Sequence, residues 1–328
     1  MIIDLHCDTI EKAYDERLKL NNQQLSFNTI DVKSHLQHIE CLATFVHSKY
    51  DREQDGFKRA NEIIDNFYKI YNPEEIYIIR KKEDLESGEL KTKIGAILTI
   101  ENGTAISGNI DNIYKLYKKG VRMMGIVWND DNDLGCGALT KNNKGLTILG
   151  KEYIQNLVKQ RIIIDVSHAS KKTFWDTCKV LENDTAKSSN SITQAYPIVA
   201  SHSNVQKICN HPRNLDDEQI KQIAKTKGVI GICFNRIFLT TESKANVLDI
   251  VNHIDYIANL VGIDYVSFGS DFDGLEKEHI LEDVKGVKDF NIIIKELERR
   301  GYKKEDIDKI CYKNFLRVIN EVLWKNFY

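Results

Sequence analysis

Eight short runs of mostly consecutive apolar residues, each followed by a longer helical pattern, constrain this chain more than any other feature. They are Ile2–His6, Cys41–Val46, Gly95–Glu101, Arg122–Trp128, Ile162–His168, Ile198–His202, Val229–Phe234 and Tyr265–Asp271. Consecutive apolar positions suit parallel strands covered on both faces, because a strand with one wet face carries a polar residue at every second place. Eight such strands with intervening helices predict an α/β fold of the (β/α)8 TIM-barrel type. The open doubly wound sheet is the alternative, although no Gly-x-Gly-x-x-Gly follows any run. Tyr77–Ile79 is a weaker ninth run, read as an accessory strand.

Helical periodicity is clearest at Phe57, Ala60, Ile64, Phe67 and Tyr71, whose three-four spacing makes one apolar stripe. A second helix is predicted from the acids Asp216-Asp217-Glu218 to before Gly228. A charged, mostly helical insertion from about 48 to 93 lengthens the link between the second and third runs, and Ile307 to Leu323 gives a final packing segment. Three prolines and no Gly/Ser-rich linker favour one catalytic domain over residues 1–328.

The 46 basic and 48 acidic residues nearly cancel, and no Lys/Arg block is interleaved with aromatics, so nucleic acid is not an expected partner. Apolar runs are only of strand length and the start lacks a signal-peptide pattern, so no membrane association and a cytoplasmic location are expected. Seven scattered cysteines without a Cys-x-x-Cys pair point the same way, toward reduced thiols.

Chemistry-bearing side chains gather at the ends of these runs. His6 and Asp8, Glu101, His168, His202 and Asp271 each close or follow a different predicted strand, as a barrel needs in order to collect ligands on one rim. Imidazoles and carboxylates suit a divalent cation such as zinc. His6 and Asp8, two apart, offer one half of a site, and His168 and His202 the other. Glu101, with two oxygens, is the natural bridge. Two cations about 3.5–4 Å apart can share a hydroxide and polarise a carbonyl. Asp271 is then placed as the proton shuttle, with Asp273 as its local competitor.

Other candidates read as structural. Cys7 is expected to turn away from the rim and pack. His35, His38, His253 and His279 read as structural or solvated, with His35 and His38 on one helix face. His211 falls in a loop, and His47 retains a chance of lining the mouth.

In the pieces Asp4-Leu-His-Cys-Asp, Ile100-Glu-Asn-Gly, Asp165-Val-Ser-His-Ala-Ser, Ser201-His-Ser-Asn, Pro212-Arg-Asn-Leu-Asp-Asp-Glu-Gln and Gly269-Ser-Asp-Phe-Asp-Gly, the chain resembles the renal or membrane dipeptidase family, peptidase family M19, over nearly its whole length. That resemblance implies a dipeptidase with two zinc ions per chain, hydrolysing dipeptides by a metal-bridging hydroxide, and a homodimer; the renal form is secreted and lipid-anchored, and without those signals this chain reads as a bacterial-type cytoplasmic member. It puts the metal ligands on His6, Asp8, Glu101 as bridge, His168 and His202, and the catalytic aspartate on Asp271. It also makes Arg213 the clamp for the substrate's terminal carboxylate; the alternative is a surface ion pair with Asp216 or Asp217. Trp128 stands where the renal enzyme has an oxyanion-stabilising histidine, so Trp128 and Asn129 are expected to line the substrate site. Another binuclear amidohydrolase acting on a lactone or cyclic amide, or a non-catalytic binding barrel, are the competing readings.

Overall fold

β-Branched residues fill strands that lie between two apolar layers, which decides the architecture of the computed structural model. It describes residues 1–33, 37–53, 55–141, 144–187 and 196–323. The strands are β1 (Ile2–Cys7), β2 (His38–Thr44), β3 (Ile76–Ile78), β4 (Ile94–Ile100), β5 (Val121–Gly125), β6 (Ile163–Asp165), β7 (Ile198–Ala200), β8 (Val229–Ile232) and β9 (Val266–Phe268). Among the described residues these strands pair with one another in parallel. Eight strands follow one another round a closed ring, β1-β2-β4-β5-β6-β7-β8-β9 and back to β1. This is the predicted (β/α)8 barrel, not the open sheet.

The ninth run is an accessory strand as expected. β3 pairs with Ile94–Ala96 of β4, while β5 pairs with Leu98–Ile100 along the same edge. The segment between β2 and β4 also carries the helix Asp55–Ile70, which buries Ala60, Ile63, Ile64 and Phe67. The helix Asp217–Lys225 starts where its acids predict, in a reciprocal cap between Asp216 and Gln219.

Two features at the β1 end aim side chains into the barrel mouth. The β1–β2 register slips between Asp4 and Cys7, so an irregularity falls across Leu5 and His6; such bulges re-aim side chains near active sites. β1 and β9 share only the pairing Asp4↔Phe268. Loop bonds complete the closure: Asp271 N–H to His6 O at 3.0 Å, Asp8 N–H to Phe272 O at 2.8 Å, and Ser270 N–H to Asp4 Oδ1 at 2.8 Å.

The regular strands stop one to three residues short of several candidates. β6 ends at Asp165, β7 at Ala200 and β9 at Phe268, so His168, His202 and Asp271 stand on the loops beyond, as does Trp128 beyond β5. Single backbone bonds persist past the regular ladders, such as Val166 N–H to Val199 O at 2.8 Å and Phe234 N–H to Ser270 O at 3.2 Å. Asp8 likewise is not on β1 but at the entrance to the helix Thr9–Asp15.

Candidate active site

Six acidic and imidazole groups from five strands converge on one centre. His6 Nε2 lies 3.5 Å from Asp8 Oδ2, 3.9 Å from Glu101 Oε2 and 3.9 Å from Asp271 Oδ1. On the other side, His168 Nε2 is 2.9 Å from Glu101 Oε1 and 2.7 Å from His202 Nε2. Glu101 therefore turns one oxygen to each half. Two groups with metal-ligand spacing, His6–Asp8–Glu101 and Glu101–His168–His202, share that carboxylate; a further grouping joins His6, Asp165 and His202.

Neighbouring bonds fix how the imidazoles face. Ser201 Oγ donates to Asp165 Oδ2 at 2.5 Å, so it accepts from His202 Nδ1–H at 2.8 Å. Asn129 Oδ1 lies 3.0 Å from His168 Nδ1. Both arrangements leave the Nε2 lone pair turned into the site, which is how outer partners prepare metal-binding histidines. Asp165 also accepts from Ser167 Oγ at 2.6 Å and from Ser201 N–H at 3.0 Å, tying the β6 and β7 loops together.

Electrostatics point the same way. Burial is the largest influence on His6 and opposes its protonation, yet Asp8, Glu101 and Asp271 together push it up to about 10. Burial first, then Asp8, holds the Glu101 carboxyl well above the usual range. Asp271 is raised by burial to about 7, with His6 working against that shift. Burial, aided by neighbouring cations, keeps His168 and His202 far below the ordinary histidine value, so both rings are neutral. His6 Nε2 and Asp8 Oδ1 are buried without a hydrogen-bond partner. Clustered carboxylates, neutral imidazoles and orphaned donor atoms fit divalent cations, since each group gains what it lacks from a positive charge.

Asp271 is held by an unusual local backbone. Asp271 and Asp273 both adopt left-handed conformations, φ 64° and 67°, a region that non-glycine residues enter at a cost. Asp273 anchors the turn: its side chain is fully buried and accepts from Thr9 Oγ1 at 2.6 Å, Lys12 Nζ at 3.1 Å and Ser26 N–H at 2.9 Å. These bonds engage both oxygens of the Asp273 carboxylate. Gly274 completes the turn, because a Cβ there would lie 2.1 Å from Asp8 Oδ2 and displace it.

Arg213 is 2% exposed, at the floor of a cavity of about 870 Å³ that opens over the cluster. Its Nη1 donates to Ser167 O, and its Nη2 lies 3.2 Å from His168 Nε2 and 3.3 Å from His202 O. The Nε has no partner. Among the described residues no carboxylate forms an ion pair with it. The surface pairing weighed for it does not occur: Asp216 pairs with Lys171 at 2.9 Å and Asp217 accepts from Tyr256.

The remaining sequence candidates separate clearly. Trp128 lines the cavity, its ring centroid 6.1 Å from that of His168. Cys7 is fully buried within the hydrophobic core. His38 is not on a helix but opens β2, buried, with Nε2 2.7 Å from Glu40 Oε2; its partner in that reading, His35, lies outside the described residues. His253 is a core residue, accepting from Val205 N–H and bonding Leu239 O. His47 sits against Trp128 at 5.5 Å, and His279 lines the cavity. The sequence marks no supporting role for Asp165 or Asn129, whereas the repeated Ser-His of Val-Ser-His and Ala-Ser-His is a signal for Ser201.

Comparison with known proteins agrees with this geometry. The chain is 33% identical over 249 residues, 73% of its length and 86% of the relative, to an "uncharacterized protein in pqqA 5'region" of Klebsiella pneumoniae. Its fold matches a Rhodobacter sphaeroides metallo peptidase solved with a phosphinate mimic of L-Ala-D-Ala, with a TM-score of 0.84, 20% identity and coverage of 98% and 99% of the two chains. It matches a probable dipeptidase, PvdM, of Pseudomonas aeruginosa with a TM-score of 0.82, 20% identity and coverage of 98% and 95%. The family model described as membrane dipeptidase (peptidase family M19) spans residues 1–325. With sequence, barrel and rim chemistry in agreement, the chain belongs to that family and is a metal-dependent dipeptidase.

Proposed function

We propose that the chain hydrolyses dipeptides at a binuclear zinc centre, with His6 and Asp8 on one ion, His168 and His202 on the other, and Glu101 bridging. The observation that carries this reading is Glu101, whose two oxygens face separate ligand pairs. Two such cations would supply carbonyl polarisation and an activated, bridging hydroxide. Asp271 takes the proton of the attacking water and returns it to the leaving nitrogen as the C–N bond breaks. Its Oδ1 lies 3.9 Å from His6 Nε2, at the edge of the ligand cluster, where a positioned carboxylate can exchange a proton with the attacking water. Asn129 and Ser201 hold the two imidazoles in register throughout. The seven free, buried thiols support a cytoplasmic location.

Arg213 is assigned to the substrate's terminal carboxylate. A buried guanidinium without a counter-ion beside the reaction centre is suited to a planar anion, and the pairing is expected to contribute at least about a hundredfold in kcat/KM. A panel of dipeptides and their C-terminal amides tests it. Hydrolysis of the free acids at least about a hundredfold faster is expected, and Arg213→Met should erase the difference. Equal or faster turnover of the amides refutes the clamp and favours a neutral amide or lactone substrate.

A further inference from the structure

One arc of the cavity wall is used by none of the chemistry above, and it is aromatic. Phe45, just past β2, and Trp128, past β5, are half-buried and both line the cavity, with ring centroids 5.1 Å apart. His47 backs Trp128 at 5.5 Å. Apart from the ligand cluster, the charged lining includes Glu11, Lys12 and Asp15 of the first helix, Glu16 just past it, and Glu276 and Lys277 beyond β9.

The direction of the substrate follows from the proposed dipeptidase reading, on which this step rests. Arg213 comes from the loop after β7 and Asp271 from the loop after β9. The terminal carboxylate and the leaving nitrogen both belong to the C-terminal residue, so that residue occupies the β7–β9 arc. Its N-terminal neighbour extends across the reacting carbonyl toward the opposite arc, β2 to β5, where Glu101 stands between Phe45 and Trp128. We infer that Phe45 and Trp128 form the subsite for the side chain of the substrate's N-terminal residue and select a large apolar or aromatic one. Two half-exposed ring faces gain contact and lose water against such a side chain. A charged one would lose hydration against these rings, a loss larger than the attraction a ring face returns to an ammonium, while Glu101 is held by the metal pair in this reading.

The test compares kcat/KM of the metal-loaded enzyme on Leu-Ala, Phe-Ala, Lys-Ala, Ala-Ala and Ala-Leu. Leu-Ala and Phe-Ala are expected to exceed Ala-Ala by about tenfold or more, with Lys-Ala disfavoured. Trp128→Ala and Phe45→Ala should each reduce the Leu-Ala to Ala-Ala ratio by about tenfold, leaving the Ala-Leu to Ala-Ala ratio in place. Trp128→Phe, which keeps a ring, should retain most of the preference and covers the case in which the alanine variant does not fold. A hydrolysed panel whose Leu-Ala preference is absent, or survives in the variants, overturns the subsite alone. A shift confined to Ala-Leu places the C-terminal side chain on this wall and also overturns it. No hydrolysis of any dipeptide overturns the dipeptidase reading and the subsite together.

Discussion

Asp271→Asn is expected to keep its bound metal and to lose turnover by about a thousandfold, within the range that a positioned acid–base group contributes. Asparagine tolerates the left-handed backbone that Asp271 occupies, φ 64°, and it preserves the N–H bond to His6 O at 3.0 Å. Shape and turn are retained; the proton-accepting oxygen is not. Asp271 Oδ1 lies 3.9 Å from His6 Nε2, and Oδ2 receives the Cys233 thiol at 3.4 Å, so the carboxylate borders the ligand cluster. Metal analysis together with kcat on one dipeptide checks the prediction. Unchanged turnover refutes the shuttle, whereas loss of metal makes Asp271 a ligand instead.

Glu101→Ala should affect both halves of the site at once. Both candidate ligand groups contain this carboxylate, so removing it weakens both cations and is expected to lower activity by more than about a thousandfold. Stability should respond in two opposite ways. Without metal, the variant is expected to be at least as stable as the parent, because burial of the Glu101 carboxyl and its repulsion by Asp8 outweigh its attraction to His6. Glu101 is 7% exposed and borders the cavity, so truncation leaves no sealed void. With metal, the parent gains about 2.7 kcal/mol per site at a hundred times Kd, and the variant should lose most of that gain. Thermal melts with and without zinc read both effects. A variant that keeps the full zinc-dependent rise in Tm contradicts the bridging role.

Sequence patterning revealed the barrel because burial on both faces leaves continuous apolar runs, and β1, β4 and β8 begin at or within one residue of the predicted runs. The rim was less legible. Regular pairing ends before the apolar pattern does, as at Val166 beyond β6, so a strand reading runs on to His168 although it stands on a loop, and Asp271 likewise stands past the end of β9. Nor does spacing of two explain Asp8: it meets His6 from a helix entrance, not from a shared strand face. His38 was misread because a two-histidine spacing of three matches a helix, whereas its strand neighbours Ile39 and Cys41 mark β2.

Supporting residues were the least visible part of the site. Nothing in the local sequence says that Asp165 gathers the Ser167 and Ser201 hydroxyls or that Asn129 meets His168, since each contact joins loops from different strands. The role of Asp273 depends equally on long-range partners, Thr9 and Ser26. Residue type marks a ligand; the bonds that orient it appear only when the chain has closed into its ring.

Anomalous diffraction from crystals of the zinc-loaded protein tests the centre most directly. Two peaks about 3.5–4 Å apart are predicted, one between His6, Asp8 and Glu101 and the other between Glu101, His168 and His202. A single ion, or zinc bound away from Glu101, would contradict the shared-carboxylate centre.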